Sequence, residues 1–329
     1  YKLRWFEDRD PDNADHSHRF SLNLTHDLNE TFSVDLGDEF VIAQEPEVLE
    51  PTGATRLRSN MDAIHNRAHV NFTAQLSRTY SLMAGYQNDL YNYDQSGPGS
   101  FSALLDRVEH RITANLRAQL RPDTTGILGY QYRIVNYTSD DSLTFGSPLD
   151  PEVRNSDSHY LYAGVDHSFT PELVGSLRAG AQFTSYDNVA PGEDDSTTNP
   201  YIDANLSYTY AKGSSVAIGL RHERNQTDIA QVGGSLILDQ ETTSVYASVT
   251  HQLSAKLSAN FVGMYANSSF GDSLVDTSDD FWSFGVNLAY QINQYLQAET
   301  GYNFDDLESD LGNRSFDRNR VYIGLKASY

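Results

Sequence analysis

The chain has 329 residues, with 45 acidic against 23 basic side chains and a formal net charge of -22 at pH 7. This balance argues against a nucleic-acid partner, because a phosphate backbone requires a basic protein face. The sequence contains no cysteine, which excludes disulfides and thiolate metal sites. It also has no run of 18 apolar residues, so a transmembrane helix is excluded.

Apolar and polar residues alternate with a period of two along most of the chain. The pattern is clear at 67–76, 107–117, 202–210 and 282–290, where one face is uniformly apolar and the other is polar or charged. The 21 tyrosines and 15 phenylalanines suit a membrane–water interface. A soluble propeller or β-helix is the alternative, but its packed faces would not tolerate this many charges. The pattern therefore predicts strands with one face toward lipid and one toward a watery interior.

Short turns and long connections alternate strictly between these segments. Residues typical of tight hairpins occur at 27–30, 76–79, 120–123, 169–172, 212–213, 253–256 and 292–295. The longer connections, rich in Asp, Glu, Ser, Gly and Pro, are 8–15, 43–61, 94–102, 138–156, 188–198, 228–238, 271–279 and 306–315. With a first strand at Tyr1–Glu7 and a last at Phe316–Tyr329, the count reaches sixteen.

We therefore predict an all-β fold: a single-domain (1–329) transmembrane antiparallel up-and-down β-barrel of about sixteen strands, with 14 or 18 as alternatives. The sheet is expected to be closed, with short periplasmic turns, acidic extracellular loops and both termini on the periplasmic side. No signal peptide stands at Tyr1, so we expect a mature or trimmed form of an exported chain.

The last strand resembles the C-terminal assembly signal of bacterial outer-membrane proteins. It ends on the aromatic Tyr329, has apolar residues at alternate positions before it, and carries Gly324 five residues before Tyr329. Tyr329 stands where that signal more often has Phe, and Ala327 is smaller than usual. The whole layout resembles the porin-like family called putative β-barrel porin 2. The resemblance implies the outer membrane of a Gram-negative bacterium, the barrel assembly machinery, and contact with outer-membrane lipid and lipopolysaccharide.

Sixteen strands leave an aqueous channel unless something fills it, and the sequence shows neither a separate plug domain nor a loop long enough to form one. We therefore expect a porin-like channel for passive diffusion of small hydrophilic solutes or ions, through a lumen whose charges set the ion preference. The alternative is a structural or interaction barrel that anchors or houses a partner. By alternation, the candidate lumen-lining charges are Arg67, Arg107, Glu109, Arg111, Arg117, Arg133, Asp166, Arg178, Asp203, Arg221, Glu223, Glu299, Arg318, Arg320 and Lys326. Each of these could instead belong to a cross-strand ion pair that only stiffens the wall.

Catalysis and cofactors have little support in the sequence. Several histidines, including His26, His167 and His251, fall on the apolar face beside short turns, which suits a membrane interface better than a catalytic site. We therefore expect no enzyme and no cofactor, and we keep Ca²⁺ at the acidic loops as an alternative. Acidic groups occur at 7–8, 140–141, 193–195, 279–280 and 305–306. A homotrimer and a lumen-resident partner both stay open.

Overall fold

The computed structural model describes residues 2–5, 14–44, 54–57, 59, 61–146, 149–190, 192, 194–270 and 277–327. Within these ranges almost every regular element is a strand. The only helices there are α1 (Phe101–Leu105) and a 3₁₀ turn at Pro151–Arg154. No helix in the described ranges is long and apolar enough to cross a membrane.

Sixteen strands form one antiparallel sheet in chain order, and β12 and β13 form a separate small hairpin. The strands are β1 (Lys2–Trp5), β2 (Ala14–Asp27), β3 (Phe32–Ala43), β4 (Ala63–Gln75), β5 (Tyr80–Tyr93), β6 (Arg107–Arg121), β7 (Thr124–Tyr137), β8 (Ser156–Ser168), β9 (Leu173–Tyr186), β10 (Ser196–Ala211), β11 (Ser214–Asn225), β12 (Gln231–Val232), β13 (Ser235–Leu236), β14 (Gln240–Gln252), β15 (Leu257–Phe270), β16 (Thr277–Asn293), β17 (Leu296–Ser309) and β18 (Phe316–Ala327). The predicted up-and-down sheet of sixteen strands is confirmed.

The short turns lie where the sequence places them. Each joins two neighbouring antiparallel strands, as at 76–79 and 169–172. Three of them leave only two residues between the strands, and in one of these, 212–213, Gly213 adopts φ 73°. A side chain would be strained there, which explains the glycine. In the described residues, pairing runs continuously from β1 to β18, and no ladder joins β18 back to β1. The predicted closure of the sheet is therefore not seen in these residues.

The two faces of the sheet differ as the alternation predicts. Large apolar side chains such as Leu22, Leu116, Leu206 and Phe284 are exposed on the outer face. Charged and amide side chains occupy the inner face, where many of them are buried. Exposed apolar side chains over the whole outer face are stable in lipid, because the hydrocarbon core of the membrane is itself apolar.

Tyrosines on the inner face pack over glycines of the preceding strand, and this tie is repeated around the sheet. Tyr162 on β8 lies directly opposite Gly129 on β7, and its hydroxyl donates to Asn115 Oδ1 on β6 at 2.7 Å. A Cβ added to Gly129 would lie 2.1 Å from the Tyr162 ring. Each tie therefore links three strands through one ring. The same arrangement recurs at Asn205–Gly219–Tyr246 and Asn287–Gly301–Tyr322.

Candidate functional site

Most of the predicted lumen charges form ion pairs on the inner face, some within one strand and others between strands. Asp166 on β8 accepts from Arg117 on β6 at 2.9 Å and from Arg178 on β9 at 2.7 Å. Arg221 approaches Glu223 at 2.8 Å and Asp203 at 3.7 Å. These contacts fix the side chains to the wall. Their part in solute passage stays a prediction.

Two aspartates that accept from arginines are buried more deeply than Asp166. Asp305 on β17 is fully buried and accepts from Arg318 at 2.9 Å and from Arg320 at 2.6 Å, while Ser283 donates to its second oxygen at 2.8 Å. Asp89 on β5 accepts from Arg67 at 2.7 Å. These pairs have little contact with water, so breaking one costs more than breaking an exposed pair.

Sequence reasoning missed both aspartates as lumen residues. It placed 305–306 and 279–280 among the acidic loops, but β17 continues to Ser309 and β16 begins at Thr277. The assignment of these residues to loops is wrong, because an acidic composition does not by itself exclude a strand. Period-two alternation continued from the preceding strand residues would have placed Asp305 on the inner face.

Two predicted lumen charges and one predicted residue of the assembly signal lie apart from these ion pairs in the described residues. Glu299 lies on β17 opposite Gly324, where a Cβ on the glycine would lie 3.0 Å from the Glu299 carboxylate. Lys326 is exposed near the turn end of β18. Gly324 is within β18, whereas Tyr329, the end of the predicted assembly signal, lies outside the described residues.

The connections themselves pack together at the loop half of the lumen, although the sequence shows neither a separate plug domain nor a loop long enough to form one. We call residues 54–57, 94–106, 138–146, 149–155, 226–239 and 310–315 the loop layer. Its members meet in buried apolar clusters: Leu104, Leu105, Leu143 and Val153 form one, and Ile229, Val232 and Ile237 pack with Phe270 of β15 in another. Several medium-length loops thus fill together a space that no single loop is long enough to fill.

The loop layer reaches inside the sheet rather than lying above it. Leu57, from the connection between β3 and β4, packs against Phe281 and Leu307 on the inner face of β16 and β17. The Arg56 guanidinium stacks on the Phe281 ring at 5.0 Å. The connection between β3 and β4 therefore contacts β16 and β17, which are far from it in the strand order.

Arg154 joins three connections of the loop layer. It is 1% exposed, and its Nη1 donates to the carbonyls of Leu104 at 3.3 Å and Thr227 at 3.1 Å, while Nη2 donates to the carbonyl of Ile229. Burial lowers the pKa of this guanidinium. No ion pair of Arg154 with a carboxylate is found in the described residues, so backbone carbonyls and the Tyr137 ring, 6.0 Å from the guanidinium, solvate its charge.

Arg314 forms ion pairs that hold several connections of the loop layer together, and we call this group of contacts the latch. Its guanidinium holds both oxygens of Asp228, at 2.7 Å and 3.1 Å, and its Nε donates to Asp279 at 2.7 Å. Thr55 donates to the same Asp228. Burial opposes the charge of Arg314, but Asp228 and Asp279 more than offset this, so its pKa is raised. Three connections and the start of β16 are thus tied at one point.

Exposure of the inner face falls from the turn side to the loop side. Arg117, toward the turn end of β6, has a side chain that is 37% exposed, whereas Arg107 at the loop end is 4% exposed. A polar, water-accessible half of the lumen therefore lies below a half that the loop layer fills.

The acidic loops do not gather into a metal site in the described part of the chain, where no group of three or more His, Asp or Glu is placed to hold an ion. The acidic pair 7–8 lies outside the described residues, as does Glu193. Among the histidines that point outward, His251 accepts or donates at 2.8 Å with Tyr210, and His167 does so at 2.9 Å with Thr124. Both lie beside the turns.

An antiparallel sheet of sixteen strands with an apolar outer wall and a charged interior defines a bacterial outer-membrane β-barrel. The chain belongs to the family described as putative beta-barrel porin 2, which matches residues 6–329 and confirms the resemblance found in the sequence. The protein is located in the bacterial outer membrane. Its family is one of porin-like barrels and not a family of enzymes.

Solved structures share the fold at low sequence identity. BauA, the ferric preacinetobactin receptor from Acinetobacter baumannii, is 11% identical with a TM-score of 0.56, and covers 95% of this chain and 59% of its own. The FrpB iron transporter from Neisseria meningitidis is 10% identical with a TM-score of 0.51, over 92% of this chain and 55% of that one. The copper transporter OprC is 11% identical with a TM-score of 0.50, over 96% and 59%.

The chain thus spans between 55% and 59% of the length of these structures. At such identities the likeness shows the fold alone. None of the curated proteins is significantly similar in sequence to the chain.

Proposed function

We propose that the protein is an outer-membrane channel for small hydrophilic solutes, closed on the loop side by the loop layer and opened when that layer moves. The observation that carries this proposal is the contrast between the two halves of the lumen. Arg117 and Asp166 on the turn side are accessible to water, whereas Arg107, Glu109 and Asp305 on the loop side are buried. A freely diffusing porin would need both halves open.

The latch at Arg314 gives the closed state a specific point of release. Arg314 and Asp228 form a forked, charge-assisted pair that is stronger than a neutral hydrogen bond. Removing the guanidinium leaves Asp228 and Asp279 close together and without their cation. Repulsion between them then favours separation of the connections that they tie.

Single-channel recording in a planar bilayer tests the proposal. Native protein should show small or rare conductance steps, and Arg314→Ala should raise the conductance or the open fraction several-fold. Arg78→Ala is the matched control, because Arg78 is exposed in a short turn on the opposite side. Native protein with large, constantly open steps that Arg314→Ala does not change would contradict a loop-closed channel.

A structural or interaction barrel is the second candidate, and the filled loop half is the observation that favours it. Such a barrel needs no passage, so the Arg314→Ala variant would stay silent in the bilayer although folded. Silence of both native and variant protein would overturn the channel and support this second candidate.

A further inference from the structure

Two arginines face each other on the inner wall without a carboxylate between them. Arg111 on β6 and Arg133 on β7 are direct register partners, so their side chains leave the same face. Like charges in such positions destabilise a sheet. Arg133 donates to the carbonyl of Arg224 at 2.9 Å, and Arg111 makes no hydrogen bond or ion pair within the described part of the chain. The Nε atoms of both are buried and lack an acceptor.

Nearby carboxylates act on Arg133 only from a distance, because each forms its ion pair with a different arginine. The pairs are Glu109 with Arg107 at 2.8 Å, Glu223 with Arg221 at 2.8 Å, and Asp239 with Arg224 at 2.6 Å. Arg221 and Arg224 each have a second carboxylate nearby, Asp203 at 3.7 Å and Glu241 at 3.8 Å, yet no carboxylate in the described residues lies within ion-pair distance of Arg111 or Arg133. Two adjacent guanidinium groups without a carboxylate of their own are costly inside a partly dry lumen unless an anion reaches them.

Tyr160 supplies a third donor without a partner. Its side chain is 0% exposed, and its hydroxyl makes no hydrogen bond in the described residues. The Arg133 guanidinium lies 5.6 Å from its ring, and both Arg133 and Arg111 act electrostatically on its phenol. A buried hydroxyl left unpaired is destabilising, and each of these three side chains therefore has a buried donor that lacks an acceptor.

The position of Arg111 makes the place reachable from the water-filled half. Along the inner face of β6, Arg107 and Glu109 are buried beneath the loop layer, and Arg111 is the first charged residue that is partly exposed. The arginine pair therefore lies at the boundary between the open half and the filled half of the lumen.

We propose that Arg111, Arg133 and Tyr160 form a binding site for a small oxyanion, the phosphate or carboxylate group of a solute. Two guanidinium groups present planar forks of donors that match the oxygens of such a group, and the phenol adds a third hydrogen bond. The proposal rests on the proposed channel in that it names the class of solute which the lumen takes up from its open half.

Titration of purified, folded protein with inorganic phosphate tests the site without requiring conduction. Calorimetry in an oxyanion-free buffer should show one phosphate bound per chain, and Arg111→Gln should weaken binding roughly tenfold, the loss of one charge-assisted hydrogen bond. Arg117→Gln is the matched control and should bind like the native chain, because Asp166 keeps Arg178 as its partner. Arg111→Lys, which keeps the charge and loses the fork, should fall between them.

Thermal unfolding separates binding from a structural role. Without phosphate, Arg111→Gln should unfold at a higher temperature than the native chain, since it removes one of two opposed charges. Phosphate should raise the unfolding temperature of the native chain and not of the variant. No phosphate binding by native protein, or equal binding by native chain and Arg111→Gln, would overturn the site. A silent bilayer with intact phosphate binding would instead count against the channel alone.

Discussion

Arg314 and Asp228 lie 86 positions apart in the sequence, yet the two guanidinium nitrogens of one hold the two carboxylate oxygens of the other at 2.7 Å and 3.1 Å. The pair joins the connection after β17 to the connection after β11. Those connections rise from different parts of the sheet, so the pair spans the loop end of the lumen. Closure of this end is therefore a matter of ionic contacts as well as apolar packing.

The buried ion pairs of Asp305 with Arg318 and Arg320 should contribute most to the stability of the last strands. Asp305→Asn leaves Arg318 and Arg320 without their shared carboxylate and should lower the free energy of unfolding by about 3–5 kcal/mol. Urea unfolding followed by tryptophan fluorescence measures this.

Asp203→Asn is the matched control for that change. Asp203 is partly exposed, and Arg221, its 3.7 Å neighbour, keeps Glu223. The loss there should be below about 1 kcal/mol. Equal losses at the two positions would show that burial does not decide the strength of these pairs.

The tyrosine–glycine ties should resist even a methyl group. Gly129→Ala puts a Cβ 2.1 Å from the ring of Tyr162, so the ring must move and its bond to Asn115 is lost. We expect a loss of about 1–3 kcal/mol in unfolding free energy and slower folding into lipid vesicles. Gly263→Ala offers a control, since its nearest neighbour would lie at 3.6 Å. If Gly263→Ala is as damaging as Gly129→Ala, the ties are not what makes these glycines necessary.

Mildly acidic pH should favour the closed loop layer. Burial raises the pKa of the Asp106 carboxyl, which accepts from Ser102 at 2.6 Å and from the Tyr93 amide at 2.7 Å, and burial likewise raises the pKa of Asp239. Between the ordinary value of 3.8 and these raised values, the packed layer binds more protons than a displaced one. Its stability therefore increases as the pH falls into that window and is lower above it.

Conductance measured at neutral pH and again inside that window checks whether acidification favours the closed loop layer. The open fraction of the native channel should fall on acidification, and Asp106→Asn, which cannot ionise, should show a smaller response. An open fraction that rises on acidification would contradict this assignment.

Most of the sheet could be predicted from the sequence, because alternation and turn residues are local signals. The seven turns and sixteen strands depend on patterns that a few neighbouring residues carry. The loop layer could not be predicted in the same way, since its contacts join residues such as Arg154 and Thr227 that are far apart in the chain. A signal was present nonetheless: Leu104, Leu105 and Leu143 are apolar residues within otherwise polar connections, which indicates burial.

The candidate site was predicted residue by residue but not as an arrangement. Alternation identifies Arg111 and Arg133 as inward-facing, yet the register that makes them direct partners is a property of the folded sheet. For the same reason, the sequence does not identify Asp89 as the partner of Arg67 or Asp305 as the partner of Arg318.

Thiol labelling of a lumen residue tests loop closure most directly. The chain has no cysteine, so Ser176→Cys, on the inner face beside Asp166 in the water-accessible half, would be its only thiol. A membrane-impermeant maleimide applied from the loop side should label this cysteine slowly in the otherwise native chain and quickly when Arg314→Ala is added, while labelling from the turn side should be fast in both. Fast labelling of the native chain from the loop side would show that the loop layer does not close the lumen.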